Sequence, residues 1–215
     1  MTTAWIKRSA ASDTELPLDG RLAFVTLATP SIAVMPKVPH AALAHPPRWL
    51  TANQLHPAPA AGVREWLFNQ DSLTRRLTAL SNHGFSVSPL TEGWQHLRND
   101  ECAALDVADG SPGWVREVLL RGHGRPWVFA RSVAARSALE GSGLNLAELG
   151  SRSLGELLFS DRAFDRGVLH ACRYPAAWLP AEVRGERLWA RRSCFSRGAL
   201  GVLVAEVFLP AFWPA

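Results

Sequence analysis

The chain has 215 residues, 47% of them hydrophobic and 20% charged, a composition typical of one globular domain with room for a core. Its net charge is only +4 and its basic residues form no long run, so nucleic acid is not an expected partner. No apolar run of about 18 residues is free of charges and prolines, which predicts no transmembrane helix. Three widely spaced cysteines show no metal-ligand spacing and favour a reducing, cytoplasmic setting.

Residues 1–47 are punctuated by prolines and sustain no hydrophobic periodicity. We therefore expect a loose N-terminal extension over 1–47 and one compact domain over 48–215. Residues 1–34 carry none of the motifs described below, so they should be dispensable for folding and activity.

Short helices are predicted where apolar spacing follows a capping residue. Residues 63–67 have helical spacing, and Ser72 can cap a helix that begins at Leu73. Ser153 can likewise cap a helix that begins at Leu154, and 137–150 should be helical in part. Free backbone N–H groups at helix starts bind anions readily, although every helix has such a start.

Five β-strands are predicted from aromatic and β-branched runs bounded by turn residues: 85–94, 114–120, 127–133, 188–195 and 200–209. Turn sequences at 121–126 and 196–198 join two pairs of these strands into hairpins. Because hairpins outnumber strand–helix–strand crossovers, the sheet should be antiparallel, in a single domain of the α+β class.

Glu206 is the one carboxylate in the strand 200–209. The other residues on both faces of that strand are apolar, which indicates burial on both sides. An unpaired ionised carboxylate would be costly there, so Glu206 should have a cationic partner, a hydrogen-bonding ligand or a raised pKa. The alternative is a glutamate that reaches into solvent at a sheet edge.

The first hairpin carries two arginines whose pairing depends on the register. If Leu120 faces Trp127, then Arg116 lies directly opposite Arg131. Two opposed like charges destabilise a sheet unless a negative group, such as Glu206 or a carboxylate ligand, lies between them. A shift of one residue would separate the two arginines, and Arg131 could instead be exposed at an edge.

A second pair of arginines, Arg191 and Arg192, lies on the strand 188–195. One of them could point inward and the other outward, or both could be exposed, and the sequence leaves these alternatives open.

Six short motifs occur in order between about residue 48 and the C-terminus. They are Trp66-Leu67 with 71–74, then 115–120, Pro126-Trp127 with Arg131, 154–159, Trp189 with 191–193, and 206–210. Together they resemble the chorismate pyruvate-lyase family, and the first 47 residues lie outside the resemblance.

The resemblance implies a six-stranded antiparallel sheet with helices, some of which act as flaps that close a buried ligand site. It implies cleavage of chorismate to 4-hydroxybenzoate and pyruvate, the first step of ubiquinone biosynthesis. No metal or other cofactor is expected, because aromatisation of the ring supplies the driving force. We expect a cytoplasmic monomer whose partners are the substrate chorismate and the product 4-hydroxybenzoate.

The resemblance also implies roles for five residues. Arg116 corresponds to the arginine that binds the ring carboxylate, and the backbone amides of Leu73 and Leu154 assist it. Glu206 corresponds to the glutamate at the hydroxyl end of the ring. Arg131 matches a second arginine near that glutamate, so Glu206 and Arg131 are the expected catalytic residues.

Two other functions are compatible with the same fold. Effector-sensing domains of some transcription regulators share it, but those chains carry an N-terminal winged helix. The first 60 residues here show no two-helix DNA-binding pattern. The second of these functions is that of an inactive lyase that only retains 4-hydroxybenzoate. The presence of both Arg116 and Glu206 argues against it.

Overall fold

The computed structural model describes residues 46–146, 152–161 and 163–214, all of which belong to one compact unit. Most of the predicted extension, 1–45, therefore lies outside the described residues, and so does 147–150 of the predicted helical region. The described part of that region forms one short α-helix, Arg136–Leu139.

Five α-helices and seven β-strands are found in the described ranges. The helices are α1 Ala61–Phe68, α2 Leu73–Leu80, α3 Asn99–Leu105, α4 Arg136–Leu139 and α5 Leu154–Ser160. The strands are β1 Phe85–His96, β2 Pro112–Gly122, β3 Arg125–Ala135, β4 Asp165–Arg166, β5 His170–Tyr174, β6 Leu188–Arg197 and β7 Leu200–Phe208. Single 3₁₀ turns occur at Ala176–Trp178, Ala181–Val183 and Pro210–Phe212.

The strands form one antiparallel sheet in the order β1-β2-β3-β7-β6-β4, and β5 also pairs with β6. The α+β class and the antiparallel sheet are thus confirmed. There are seven strands rather than six, because β4 and β5 pair with successive parts of the same edge of β6. The sheet still has six strand positions, and the last of them is interrupted at 167–169.

The two predicted helix caps are present at α2 and α5. The Ser72 hydroxyl accepts a hydrogen bond from the Arg75 backbone N–H at 3.4 Å. The Ser153 hydroxyl accepts one from the Glu156 N–H at the same distance. Each serine satisfies an amide that a helix start would otherwise leave unpaired.

Helices cover the two faces of the sheet differently. On one face, which we call the site face, Leu77 of α2 packs on β2, and Leu158 of α5 packs near Val204 of β7. On the opposite face, Cys102 of α3 packs on Leu203 of β7. Successive side chains of a strand point to opposite faces, so alternate residues of each central strand belong to the site face.

The register expected for the β2–β3 hairpin is wrong by one residue over most of its length. Arg116 pairs with Ser132, and Arg131 pairs with Glu117. The register shifts beyond Leu120, because Trp127 is an extra residue on β3 between the partners of Leu120 and Arg121. This one-residue bulge moves Arg131 to the opposite face of the sheet from Arg116.

Candidate functional site

Two rows of side chains cross the site face from β2 to β6. In one row Arg116 lies beside Ser132, followed by Val204 and Ser193. The neighbouring row runs from Val118 through Ala130 and Glu206 to Arg191. Glu206 is therefore two strands away from Arg116, which corresponds to about 10 Å across the sheet.

A small cavity lies between these rows and the helices above them. Arg116, Ser132 and Glu206 line it from the sheet, and Thr74 and Leu154 line it from α2 and α5. Its volume is about 30 Å³, which is room for about one water molecule and too little for a six-membered ring. A ring can therefore enter only if the lining side chains rearrange or if α2 and α5, which we call the flap helices, shift.

Arg116 is a buried cation at one end of the cavity, with only 3% of its surface exposed. Its Nη2 donates to the carbonyl of Arg152 at 2.9 Å, and its Nη1 lies 3.5 Å from a carboxylate oxygen of Glu92. Burial lowers the pKa of Arg116, and the Glu92 charge offsets part of that effect. A guanidinium in this position is well suited to a two-point contact with a carboxylate.

Glu206, at the other end of the cavity, has a cationic partner, which is one of the alternatives that the sequence left open. The partner is Arg191, whose Nε donates to Oε2 of Glu206 at 2.6 Å. The Nη1 of Arg191 also donates to the backbone carbonyls of Trp66 and Asn69, at 2.9 and 3.1 Å. Arg191 is 1% exposed, so it fixes both the glutamate and the chain that leads into α2.

A further arginine, Arg166 of β4, lies next to this pair. Its Nε donates to the Ser193 hydroxyl at 2.9 Å, and its Nη1 donates to the carbonyl of Gln70 at 2.9 Å. Burial lowers the pKa of Arg166 to about 10, the nearby Arg191 charge adds to this effect, and Glu206 opposes it.

The two flap helices meet through one hydrogen bond between side chains. The hydroxyls of Thr74 and Ser153 are 2.7 Å apart. Leu73 and Leu154, the first residues of α2 and α5, are both buried, and Leu154 lines the cavity directly. Leu73 is the neighbour in the chain of Thr74, which lines the cavity.

Arg131 does not reach this cavity, in contrast to the expectation that placed it near Glu206. On the opposite face, its Nε and Nη2 donate to the two carboxylate oxygens of Glu101 at 2.6 and 3.1 Å. Its Nη1 donates to Glu117 at 2.8 Å. Burial alone would raise the pKa of Glu101, but the charge and hydrogen bonds of Arg131 lower it overall. The contacts of Arg131 are those of a buried structural ion pair.

The described residues contain no group of three or more histidine, cysteine, aspartate or glutamate side chains placed to hold a metal ion. Within the same ranges, every helix is too short or too polar to cross a membrane.

Among the polar residues of the site that were not assigned from the sequence are Arg166, Arg191 and Ser193. Arg191 could have been found, because the turn that joins β6 and β7 has Gly198 at a positive φ of 57° and pairs Arg197 with Leu200. Counting back along both strands from that turn places Arg191 opposite Glu206. Arg166 lies on a two-residue strand with no comparable signal.

Known proteins that are similar to this chain point to one family. A family model described as chorismate lyase matches residues 44–215. A probable chorismate pyruvate-lyase of Pseudomonas aeruginosa (strain UCBPP-PA14) is 71% identical over 165 residues, which are 77% of this chain and 92% of the relative. A probable chorismate pyruvate-lyase 2 of Pseudomonas fluorescens (strain Pf0-1) is 64% identical over 169 residues, 79% of this chain and 92% of the relative.

Among solved structures, the chain is similar to the effector domain of PhnF from Mycobacterium smegmatis. The TM-score is 0.43 at 12% identity, over 65% of this chain and 89% of that one. A likeness this distant favours neither an enzyme nor a sensor.

Proposed function

The chain belongs to the chorismate lyase family, and from this we propose that it cleaves chorismate to 4-hydroxybenzoate and pyruvate, the first step of ubiquinone biosynthesis. The observation that carries the proposal is a pair of ionic groups that line one cavity, the buried Arg116 and the partly buried Glu206. Arg116 provides a cation for a ring carboxylate, and Glu206 provides a carboxylate two strands away.

The spacing of the two groups fits the substrate. The ring carboxylate and the hydroxyl of chorismate lie at opposite ends of a six-membered ring. With a hydrogen bond at each end, such a ring spans the roughly 10 Å of two strand separations. We propose that Arg116 holds the ring carboxylate, with the backbone amides at Leu73 and Leu154 assisting it, and that Glu206 faces the hydroxyl.

The reaction is an elimination that makes the ring aromatic. The C–H bond on the hydroxyl-bearing carbon breaks, and its electron pair joins the ring. The C–O bond to the enolpyruvyl group also breaks, and that pair leaves with the enolpyruvate oxygen. The proton ends on the methylene carbon of enolpyruvate, which gives pyruvate. Glu206 is the proposed carrier of the proton, and Arg191 orients its carboxylate.

The flap helices are proposed to keep water out during this step. A closed site of low polarity strengthens the contacts of the ring with Arg116 and Glu206. Because the cavity holds only about 30 Å³ with α2 and α5 in place, we propose that these helices move during binding and release.

A sensing function is not favoured. The family match covers 44–215. The two relatives described above are named as lyases, and the match to this chain extends over 92% of each of them. We further propose that the active unit is a monomer over about 48–215, that it is cytoplasmic, and that no nucleic acid takes part.

Incubation of the purified chain with chorismate, followed by chromatographic detection of 4-hydroxybenzoate and pyruvate, tests the proposal. We expect the two products in equal amounts, with activity unchanged after EDTA treatment. Failure of the folded protein to release either product would overturn the proposed function. Activity that EDTA abolishes and an added metal restores would overturn the cofactor-free mechanism.

A further inference from the structure

The Glu206 end of the site contains more positive than negative charge. Two arginines, Arg166 and Arg191, interact electrostatically with Glu206 and with each other. The carboxylate of Glu206 is paired with Arg191, with 2.6 Å between Oε2 of the glutamate and Nε of the arginine. In the described ranges, Arg166 has no carboxylate within ion-pair distance, and the acceptors of its hydrogen bonds are the neutral oxygens of Ser193 and Gln70.

The hydrogen-bonding capacity of this cluster is also incomplete. The Nη2 of Arg191 is buried and has no acceptor among the described residues. A buried cationic N–H without an acceptor is costly, as is a partly buried guanidinium that is repelled by another one nearby. Burial and the charge of Arg191 hold the pKa of Arg166 at about 10, which is the direction expected when an anion is missing.

The cluster lies next to the cavity, on the side away from Arg116. Ser193, which binds Arg166, is the neighbour of Val204 across one strand separation, and Val204 lines the cavity. Arg191 is likewise the neighbour of Glu206, which also lines it. An anionic group that extends from a ring beyond Glu206 would therefore reach Arg166 and Arg191 within about one strand spacing, roughly 5 Å.

We propose that Arg166, together with the Nη2 of Arg191, forms a second carboxylate subsite that binds the carboxylate of the enolpyruvyl group. This inference rests on the proposed function. Chorismate is a dianion with one carboxylate on the ring and one on the leaving group. The leaving group is attached to the carbon next to the hydroxyl-bearing carbon, so its carboxylate lies at the Glu206 end.

The two subsites give the site a preference for substrate over product. The product 4-hydroxybenzoate keeps the ring carboxylate, which Arg116 binds, but has lost the second one. The energy of the Arg166 contact therefore favours chorismate and does not add to product affinity. After cleavage, pyruvate carries its carboxylate away from Arg166.

The test compares two ligands in one variant. Arg166→Gln removes the charge but keeps most of the size and a hydrogen-bond donor. We expect kcat/KM for chorismate to fall about 10- to 100-fold, the usual effect of one charge-assisted contact, while the Kd for 4-hydroxybenzoate stays within about twofold. Arg121→Gln is the matched control, because Arg121 lies near the β2–β3 turn and its guanidinium donates hydrogen bonds to Ser88 and Gly124, away from the cavity lining. It should change neither value.

A stable mimic gives a second, independent readout. In 3-(carboxymethoxy)-4-hydroxybenzoate, an ether-linked carboxylate stands on the carbon next to the hydroxyl, as in chorismate. The unmodified protein should bind it more tightly than 4-hydroxybenzoate, and Arg166→Gln should remove that advantage. If Arg166→Gln does not fold, Arg166→Lys replaces it. We then expect a smaller fall in kcat/KM for chorismate, again with little change in the Kd for 4-hydroxybenzoate.

Equal losses for chorismate and 4-hydroxybenzoate would overturn the subsite, because they would show that Arg166 only supports the ring site. Unchanged values for both ligands would overturn it as well. These outcomes are distinct from failure of the proposed function, in which the unmodified protein itself would form no 4-hydroxybenzoate.

Discussion

Glu206 and Arg191 face each other on adjacent strands, with the arginine Nε 2.6 Å from the glutamate Oε2. The pair joins the central strand β7 to the chain that precedes α2, because Arg191 also binds the carbonyls of Trp66 and Asn69. The carboxylate proposed to act on the ring is thus connected through one buried guanidinium to the end of α1 and to the segment that leads into α2.

The first prediction separates the roles of Arg116 and Glu206. Arg116→Ala should weaken binding of both chorismate and 4-hydroxybenzoate, because it removes the cation for the carboxylate that both share. Glu206→Gln should instead lower turnover by about 10²- to 10⁴-fold, the usual scale for general acid–base assistance, with a smaller effect on 4-hydroxybenzoate affinity. Steady-state kinetics and calorimetric titration measure both. Near-normal turnover of Glu206→Gln would leave Glu206 as a hydrogen-bonding group only.

The second prediction concerns the Arg191–Glu206 pair. Arg191→Met should lower the free energy of unfolding by about 3–5 kcal/mol, because it leaves a largely buried carboxylate without its partner. The double variant Arg191→Met/Glu206→Leu should recover part of this loss, since it removes both charges. Urea unfolding of the single and double variants measures the difference. If the double variant is no more stable than Arg191→Met, the loss arises from the Trp66 and Asn69 contacts instead.

The third prediction concerns the pH dependence of the Glu101–Arg131 pair. The pKa of Glu101 is lowered in the folded protein from its ordinary value of 4.5, so the unfolded chain binds the proton more readily. The pair therefore contributes its full stability above about pH 4.5 and loses it as the pH falls through the lower folded value. Urea unfolding between pH 6 and pH 3, a range chosen around the ordinary carboxyl pKa, measures this loss.

Two variants identify the source of that pH dependence. Arg131→Met should lower the free energy of unfolding at neutral pH by about 3–5 kcal/mol, and it should reduce the slope below pH 4.5. Glu182→Gln, at an exposed position, should leave the slope unchanged. Folded Arg131→Met should keep normal chorismate turnover, because its guanidinium lies on the opposite face from the cavity. A large loss of turnover in folded protein would restore a catalytic role for Arg131.

The fourth prediction concerns the hydrogen bond between the flap helices. Thr74→Val removes the hydroxyl that lies 2.7 Å from Ser153 and keeps the shape of the side chain. Release of 4-hydroxybenzoate, measured by stopped-flow tryptophan fluorescence, should become about 2- to 10-fold faster, the size of one neutral hydrogen bond. Thr78→Val is the control, because the Thr78 hydroxyl bonds only within α2, to the carbonyl of Thr74. Equal effects of both variants would indicate a general loosening of α2.

The fifth prediction concerns the N-terminal segment. A chain that begins at Met35 should fold and keep its activity, because 1–34 lie outside the family match at 44–215 and carry no core periodicity. Circular dichroism, thermal unfolding and chorismate turnover of the shortened and full chains test this. Loss of soluble protein on truncation would show that the segment packs on the domain.

The amino-acid sequence by itself determined those features that depend on local patterns. The serine caps of α2 and α5 and the two hairpins follow from short spacings of turn and capping residues. The apolar faces around Glu206 also predicted a cationic partner, a ligand or a raised pKa, and the structure contains a cationic partner.

Only the tertiary structure decided which cation that partner is. Trp127 forms the bulge that shifts the β2–β3 register, and it packs against Phe212, which is 85 residues later in the chain, at a ring distance of 6.2 Å. Such a contact leaves no trace in the local pattern, and a shift of one residue moves Arg131 to the far face of the sheet. Arg166 joins the site only because the edge strand β4 pairs with β6. The sequence thus predicted which side chains carry charge and need a partner. The pairing of strands that are distant in the chain determined which of those charges lie on the same face of the sheet.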